Sequence, residues 1–229
     1  MNRYLFLVLI LVINSCSYPE ILFDELIYSN NFEENTKNID GGNIVSFNNT
    51  KVLGNYNNDG FFVHLDEIQD HDYIFISFDL YIHGSWDGNA NGFPVDDRPD
   101  KWIIEIDPEM DLHSDKSNSK FETTFSNSVC FSNYCLRQSY PNPFPFSNNP
   151  TLGSFEVNLP EICNNSFFGG ETTLYKIEKG FRHKGKSVIL KFYDELYQPN
   201  AIDKDGIPQQ KCDESWSLDN LNIRIVKYK

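Results

Sequence analysis

The chain has 229 residues, 19 basic against 33 acidic side chains, and a formal charge of −14. Only two of its residues are Ala, which argues against helical bundles and coiled coils, whose surfaces need good helix formers. The acidic balance leaves no electrostatic footprint for nucleic acid, and an aromatic fraction of 15% is too high for a disordered acidic protein.

The N-terminus reads as an address. Arg3 precedes an apolar run from Tyr4 to Ile13, too short to span a bilayer but suited to a signal peptide. The run ends in Ile13-Asn14-Ser15-Cys16, which resembles the lipobox of bacterial lipoproteins. The resemblance implies cleavage before Cys16 and lipidation of its thiol. Residues 1–15 are then the signal peptide, 16–24 a lipid-anchored tether, and 25–229 one domain. The mature chain has 229 − 15 = 214 residues and, without Arg3, a formal charge of −14 − 1 = −15. Several acyl chains on one cysteine give stable anchoring, whereas one chain alone is marginal. The implied location is the cell envelope, with the membrane as a partner through the anchor.

After the tether the sequence alternates between short apolar runs and turn residues. Tyr73–His83 places Ile74, Ile76, Phe78, Leu80 and Ile82 on one face, a period of two that predicts a half-buried strand. Val188, Leu190 and Phe192 repeat the pattern, as do Leu221, Ile223 and Ile225. Further predicted strands are Ile21–Tyr28, Ile44–Phe47, Phe61–Leu65, Trp102–Ile106, Phe121–Phe125, Gly153–Leu159 and Thr172–Ile177. Clusters of Asn, Asp, Gly, Pro and Ser separate them. No stretch after the signal has helical periodicity. The expected fold class is all-β, a two-sheet antiparallel β-sandwich of jelly-roll (lectin-like) type.

Two long loops stand out, 84–100 and 130–150, and loops on a rigid scaffold are where binding concentrates. In the first, Asp87-Gly88-Asn89-Ala90-Asn91-Gly92 matches the opening half of an EF-hand loop. The twelfth position is Arg98 rather than Glu, so an EF-hand is excluded. Oxygen side chains at every second position nevertheless suit calcium, which makes Asp87, Asn89 and Asn91 candidate ligands. A solvated polar loop is the competing reading. In the second loop, Tyr140 and Phe144 lie among prolines. With Trp86 they are candidate rings for stacking on a sugar, against the alternative that they are buried.

Export implies an oxidising compartment, and setting Cys16 aside leaves Cys130, Cys135, Cys163 and Cys212. Four cysteines allow three pairings, which sequence alone does not decide. The favoured arrangement is a short Cys130–Cys135 staple with Cys163–Cys212 as the second bond.

Three segments in order carry a wider resemblance: Ser29-Asn30-Asn31-Phe32-Glu33-Glu34, Phe78–Asn89 with Pro99-Asp100-Lys101-Trp102, and Asp213-Glu214-Ser215-Trp216-Ser217-Leu218-Asp219-Asn220-Leu221. Together they resemble MAM, laminin G-like (concanavalin A-like) and carbohydrate-binding jelly rolls. The resemblance implies a structural calcium held by Glu33 and Asp219. Parity agrees: on an unbulged strand Asp219 shares the inward face of Leu221 and Ile223, and an inward carboxylate needs a partner.

Glu105-Ile106-Asp107-Pro108-Glu109 resembles the E-x-D-x-E motif of lichenase-type glycoside hydrolases. It implies Glu105 as nucleophile, Asp107 as assisting acid and Glu109 as acid/base, all on one strand face. Pro108 departs from that family and favours a strand ending near Asp107. The combined expectation is a lipid-anchored envelope protein with a calcium-stabilised, lectin-like domain that binds a glycan or surface ligand without catalysis. A glycosidase and a purely structural or adhesive domain are the alternatives.

Overall fold

The computed structural model describes residues 19–89, 98–108, 119–130, 135–163, 170–197 and 210–229. Cys16, Asn91 and Glu109 lie outside these residues. In chain order the strands are β1 (Ile21–Asn30), β2 (Ile39–Asp40), β3 (Ile44–Phe47), β4 (Thr50–Tyr56), β5 (Gly60–Leu65), β6 (Tyr73–Gly84), β7 (Lys101–Ile106), β8 (Lys120–Thr124), β9 (Glu156–Leu159), β10 (Thr172–Arg182), β11 (Val188–Glu195) and β12 (Glu214–Tyr228). A four-residue helix, α1 (Gln210–Asp213), leads into β12.

The strands form two antiparallel sheets, as the alternating pattern predicts. One has the order β3-β4-β12-β6-β10-β9; the other runs β2-β5-β11-β7-β8. The long β12 pairs with β6 along one side and with β4 and then β1 along the other. The core lies between the sheets. Ile74, Ile76, Phe78, Leu80 and Ile82 of β6 meet Val188, Leu190 and Phe192 of β11 there, so the strand faces read from the sequence are the buried ones. Trp102 and Trp216 cross edge to face with centroids 5.8 Å apart, and Phe61 stacks on Phe192 at 4.7 Å.

Both favoured disulfides are present: Cys130–Cys135, with Cα atoms 4.3 Å apart, and Cys163–Cys212, at 5.4 Å. The second joins the segment after β9 to α1.

The parity argument for Asp219 is corrected. Asp219 pairs with Asp79, but Asn222 pairs with Ser77, so β12 carries one extra residue here. Asn220 takes it up at φ 52°, a left-handed conformation that Asn tolerates. Leu218 and Leu221 therefore both face the core, and Asp219 turns outward beside Asp79.

Candidate functional site

The best-defined group of chemically active side chains sits at the end of the sandwich where β6 leaves its sheet and β12 enters. Gly84 ends β6 at φ 80°, and a Cβ there would lie 1.9 Å from the Asp213 carbonyl oxygen. Glycine thus lets the α1–β12 junction press against the end of β6. Ser85 N–H donates to Asp213 O at 2.8 Å, and Ser85 Oγ to Asp213 Oδ1 at 2.9 Å. Glu214 pairs in register with Gly84. Across the loop, Asp87 N–H donates to Asp100 Oδ2 at 3.0 Å and Asp100 N–H to Gly88 O at 2.9 Å, closing residues 87–100 at their base.

These contacts gather Asp87, Asp100, Asp213 and Glu214, with Asp194 nearby, in a largely buried place. Burial, then the neighbouring Asp87 and Asp213 carboxylates, pushes Asp100 up to about 7. Burial pushes Glu214 well above the usual carboxylate range, and Asp100, Asp213, Asp87 and Asp194 add to it. Burial also raises Asp213 and takes Asp194 to about 6. Asp194 is well bonded: Trp216 Nε1–H donates to it at 2.8 Å, and the backbone N–H groups of Asn58 and Asp59 at 2.6 and 3.2 Å. Glu214 is not. It is 4% exposed, and its Oε2 is buried without a hydrogen-bond partner. Among the described residues, no Lys or Arg pairs with Asp100, Asp194, Asp213 or Glu214. No three His, Cys, Asp or Glu side chains among the described residues stand as a ready-made metal ligand set.

Asn89 does another job. Its Oδ1 accepts from Thr124 Oγ1 at 2.5 Å and Ser139 Oγ at 2.7 Å, while its Nδ2 donates to Phe146 O at 2.7 Å. Its amide is occupied in joining the two long loops, and Asn91, the next residue of the motif, lies outside the described residues.

Two of the three candidate sugar-stacking rings are corrected by burial. Trp86 is 0% exposed and donates its Nε1–H to Ser215 O at 3.0 Å; Tyr140 is 7% exposed and packs on Phe125 and Tyr175. A ring enclosed by the core offers no face to a sugar. Phe144 is half-buried, with the Lys101 ammonium 5.2 Å from its centroid. The exposed ring that sequence reading passed over is Phe146, at 54%. The loop that carries these rings is held by Gln138, itself fully buried. Gln138 Oε1 accepts from Ser126 N–H and Thr151 N–H at 3.1 and 3.0 Å, and Nε2 donates to Tyr140 O and Leu152 O at 3.1 and 3.0 Å.

Glu33 and Asp219 are brought near enough to interact, with Asp79 between them in charge. Burial raises Asp219 to about 6, and Asp79 and Glu33 contribute. Each acid also has its own partners. Glu33 accepts from Thr50 Oγ1 at 2.5 Å and Lys51 N–H at 3.1 Å; Asp219 accepts from Asn220 N–H at 2.7 Å. Asp79 accepts from Asn220 Nδ2 at 2.9 Å and faces the Lys176 ammonium at 3.8 Å. Hydrogen-bond donors thus meet all three carboxylates, and an ammonium group faces Asp79. An open cavity of about 560 Å³ follows residues 27–38, lined by Tyr28, Asn30, Glu33 and Lys37. Its Asn side chains are largely occupied in the loop's own turns.

Glu105 and Asp107 of the E-x-D-x-E motif do not share a strand face, and Glu109 lies outside the described residues. β7 ends at Ile106, and Asp107 turns at φ 47°. Asp107 Oδ1 accepts from Ile189 N–H at 2.8 Å, and Oδ2 lies 3.2 Å from His183 Nε2. Glu105 stays on β7 and accepts from Tyr193 O–H at 3.3 Å. With Asp107 held this way, it does not assist at Glu105. The His183 contact had no sequence signal, because the partners are far apart in the chain. Asp213 and Glu214 did have one, since they open the segment already quoted for the family resemblance.

No protein-family model matches the chain, and no curated protein is significantly similar to it.

Proposed function

We propose that the chain is an exported, lipid-anchored cell-envelope protein whose sandwich binds a glycan or another surface ligand without catalysing a reaction. The observation that supports this most is the loop 138–154. Gln138 and Asn89 fasten it to the sandwich by hydrogen bonds, while Phe146 stays exposed and Phe144 half-exposed. A rigid loop loses little entropy on binding, so rings held outward on it make an efficient platform. Ring faces stack on the apolar face of a sugar, and nearby amides such as Asn142 suit its hydroxyls. The lipobox-like Cys16 supports the anchor, and two disulfides suit an oxidising compartment.

The test is a glycan array probed with the wild type and with a Phe144→Ala, Phe146→Ala double variant. Binding by the wild type and its loss in the double variant, at unchanged thermal stability, is expected. Equal binding by both proteins, or none by the wild type, removes this platform from consideration. Cys16→Ala should release the protein from membranes in cell fractionation; persistent association counts against lipidation.

A further inference from the structure

We propose that the loop end of the sandwich binds one divalent cation of the calcium type, held by the carboxylates of Asp87, Asp100, Asp213 and Glu214. The proposal is independent of the ligand platform on the loop 138–154. It keeps Asp87 from the sequence reading and moves the rest of the site away from Asn89.

Three observations carry it. The first is the convergence of two backbone segments. Gly84 and Ser85 hold the Asp213–Glu214 junction against the end of β6, and Asp100 holds Asp87 and Gly88 from the other side. The second is the charge imbalance. Among the described residues no Lys or Arg pairs with Asp100, Asp213 or Glu214, and their mutual effect is repulsive. Each buried ion left without a partner costs several kcal/mol. The third is Glu214 itself: it is buried, it is repelled by the nearby Asp100 and Asp213, and its Oε2 has no partner. A buried carboxylate oxygen without a donor, set among other carboxylates that repel it, is the arrangement a cation completes.

The donor set selects the ion class. All four side chains are carboxylates, and the nearest cysteine, Cys212, is held in a disulfide. Oxygen ligands without nitrogen or thiolate suit hard cations, and carboxylates drawn from separate segments suit the variable coordination of calcium over the stricter octahedron of magnesium. The four carboxylates draw inward as the ion enters, because they are not preset as a ligand set. That reorganisation places the affinity with weak extracellular sites, on the order of 10⁻⁴ M. The Cys163–Cys212 bond limits how far Asp213 moves away when the ion leaves.

The experiment is thermal unfolding of the mature domain in EDTA and in excess calcium, with calorimetric titration for stoichiometry. Calcium at about a hundredfold over Kd should raise Tm by roughly 5–10 °C, with one ion bound. Glu214→Gln should remove that rise and, by relieving the repulsion, raise the Tm measured in EDTA. Asp79→Asn, on the opposite face of β6, should leave the calcium response intact. Should Glu214→Gln fail to fold, terbium luminescence sensitised by the adjacent Trp86, with competition by calcium, reads the wild-type site directly, and Asp100→Asn should abolish it. No calcium response in the wild type, or a full response in Glu214→Gln, overturns the proposal.

Discussion

His183 Nε2 lies 3.2 Å from Asp107 Oδ2, while Nδ1 of the same ring lies 2.8 Å from His71 Nε2. Donors and acceptors fix the protonation along this chain. His71 Nδ1 sits 2.7 Å from Gln69 O and must donate to that carbonyl. Burial lowers His71, so the ring is neutral and its Nε2 accepts. His183 must then donate through Nδ1 to His71, while its Nε2 stands beside the Asp107 carboxylate. The relay ties the β5–β6 connection, the end of β7 and the end of β10 together. Proton-detected nitrogen spectra should show His71 as the neutral Nδ1–H tautomer and a proton on His183 Nδ1. Asp107→Asn should cost about 2–3 kcal/mol in urea unfolding, the range for a hydrogen bond to a charged group. An unprotonated Nδ1 on His183 counters the assignment.

His83 behaves oppositely to an ion-paired histidine. It is fully buried between Thr172 Oγ1 and Ser217 Oγ, each 2.9 Å from a ring nitrogen, and Phe47 and Tyr81 pack on its ring. Burial takes it down to about 3. A histidine with a depressed folded value contributes stability that is present above its unfolded value of about 6.5 and is lost as pH falls towards about 3. Within that window its contribution falls by up to about 1.4 kcal/mol per pH unit. Subtracting the unfolding free energies of His83→Gln from those of the wild type, pH by pH, isolates this slope. A flat difference between pH 6 and 4 disproves it.

Strand faces were legible because burial enforces period two: Ile74 to Ile82 and Leu221 to Ile225 could not have alternated otherwise. β4 was not legible. Its Gly54-Asn55 pair reads as a turn, yet Gly54 is in the strand because a Cβ there would lie 2.2 Å from Ser217 Oγ. The outward turn of Asp219 was hidden for a related reason, since a bulge is a property of two paired strands. Trp86 beside an Asp-rich loop looked exposed, but its ring reaches back to Ser215 on β12. The acidic end combines both cases. Asp87 and Asp100 stand in one loop and were noticed together, whereas Glu214 joins them only through the pairing of β12 with β6.

The Cys163–Cys212 bond closes a long segment, with a sequence separation of 49, and fastens α1 beside Gly84. Constraining such a segment in the unfolded chain stabilises by about 2–4 kcal/mol. The Cys163→Ser, Cys212→Ser double variant should show that loss in denaturant unfolding. The Cys130–Cys135 pair spans a separation of only 5, and its removal should cost less. Equal costs for the two removals would contradict the segment-length argument.

Gln138 is the place where a single side chain positions the proposed ligand platform. Gln138→Leu fills similar volume but leaves Ser126 N–H, Thr151 N–H, Tyr140 O and Leu152 O without this amide. Thr151 N–H and Tyr140 O keep their bonds to Ser126 O and Asn148 Nδ2, so Ser126 N–H and Leu152 O are stranded; each costs about 1–3 kcal/mol, and a loss of at least about 2 kcal/mol is expected. Limited proteolysis should cut residues 140–153 in the variant before the wild type. Intact resistance would mean that other contacts hold the loop.

Asn220 takes up the extra residue of β12 between Asp219 and Leu221. At φ 52° a β-branched residue crowds its own carbonyl, at a cost of roughly 1–2 kcal/mol, whereas Gly adopts the conformation without strain. Asn220→Val should therefore lower stability by about that amount, and Asn220→Gly should stay near wild type, having lost only the exposed hydrogen bond to Asp79. Deleting Asn220 removes the extra residue and restores strict alternation: Leu221 falls opposite Phe78, Asp219 stays opposite Asp79 on the outward face, and Leu218 stays in the core. The deletion buries no carboxylate and removes the left-handed residue, so it should cost no more than Asn220→Val. Urea midpoints with the deletion at or above Asn220→Val would bear this out, and a deletion far less stable than Asn220→Val would not.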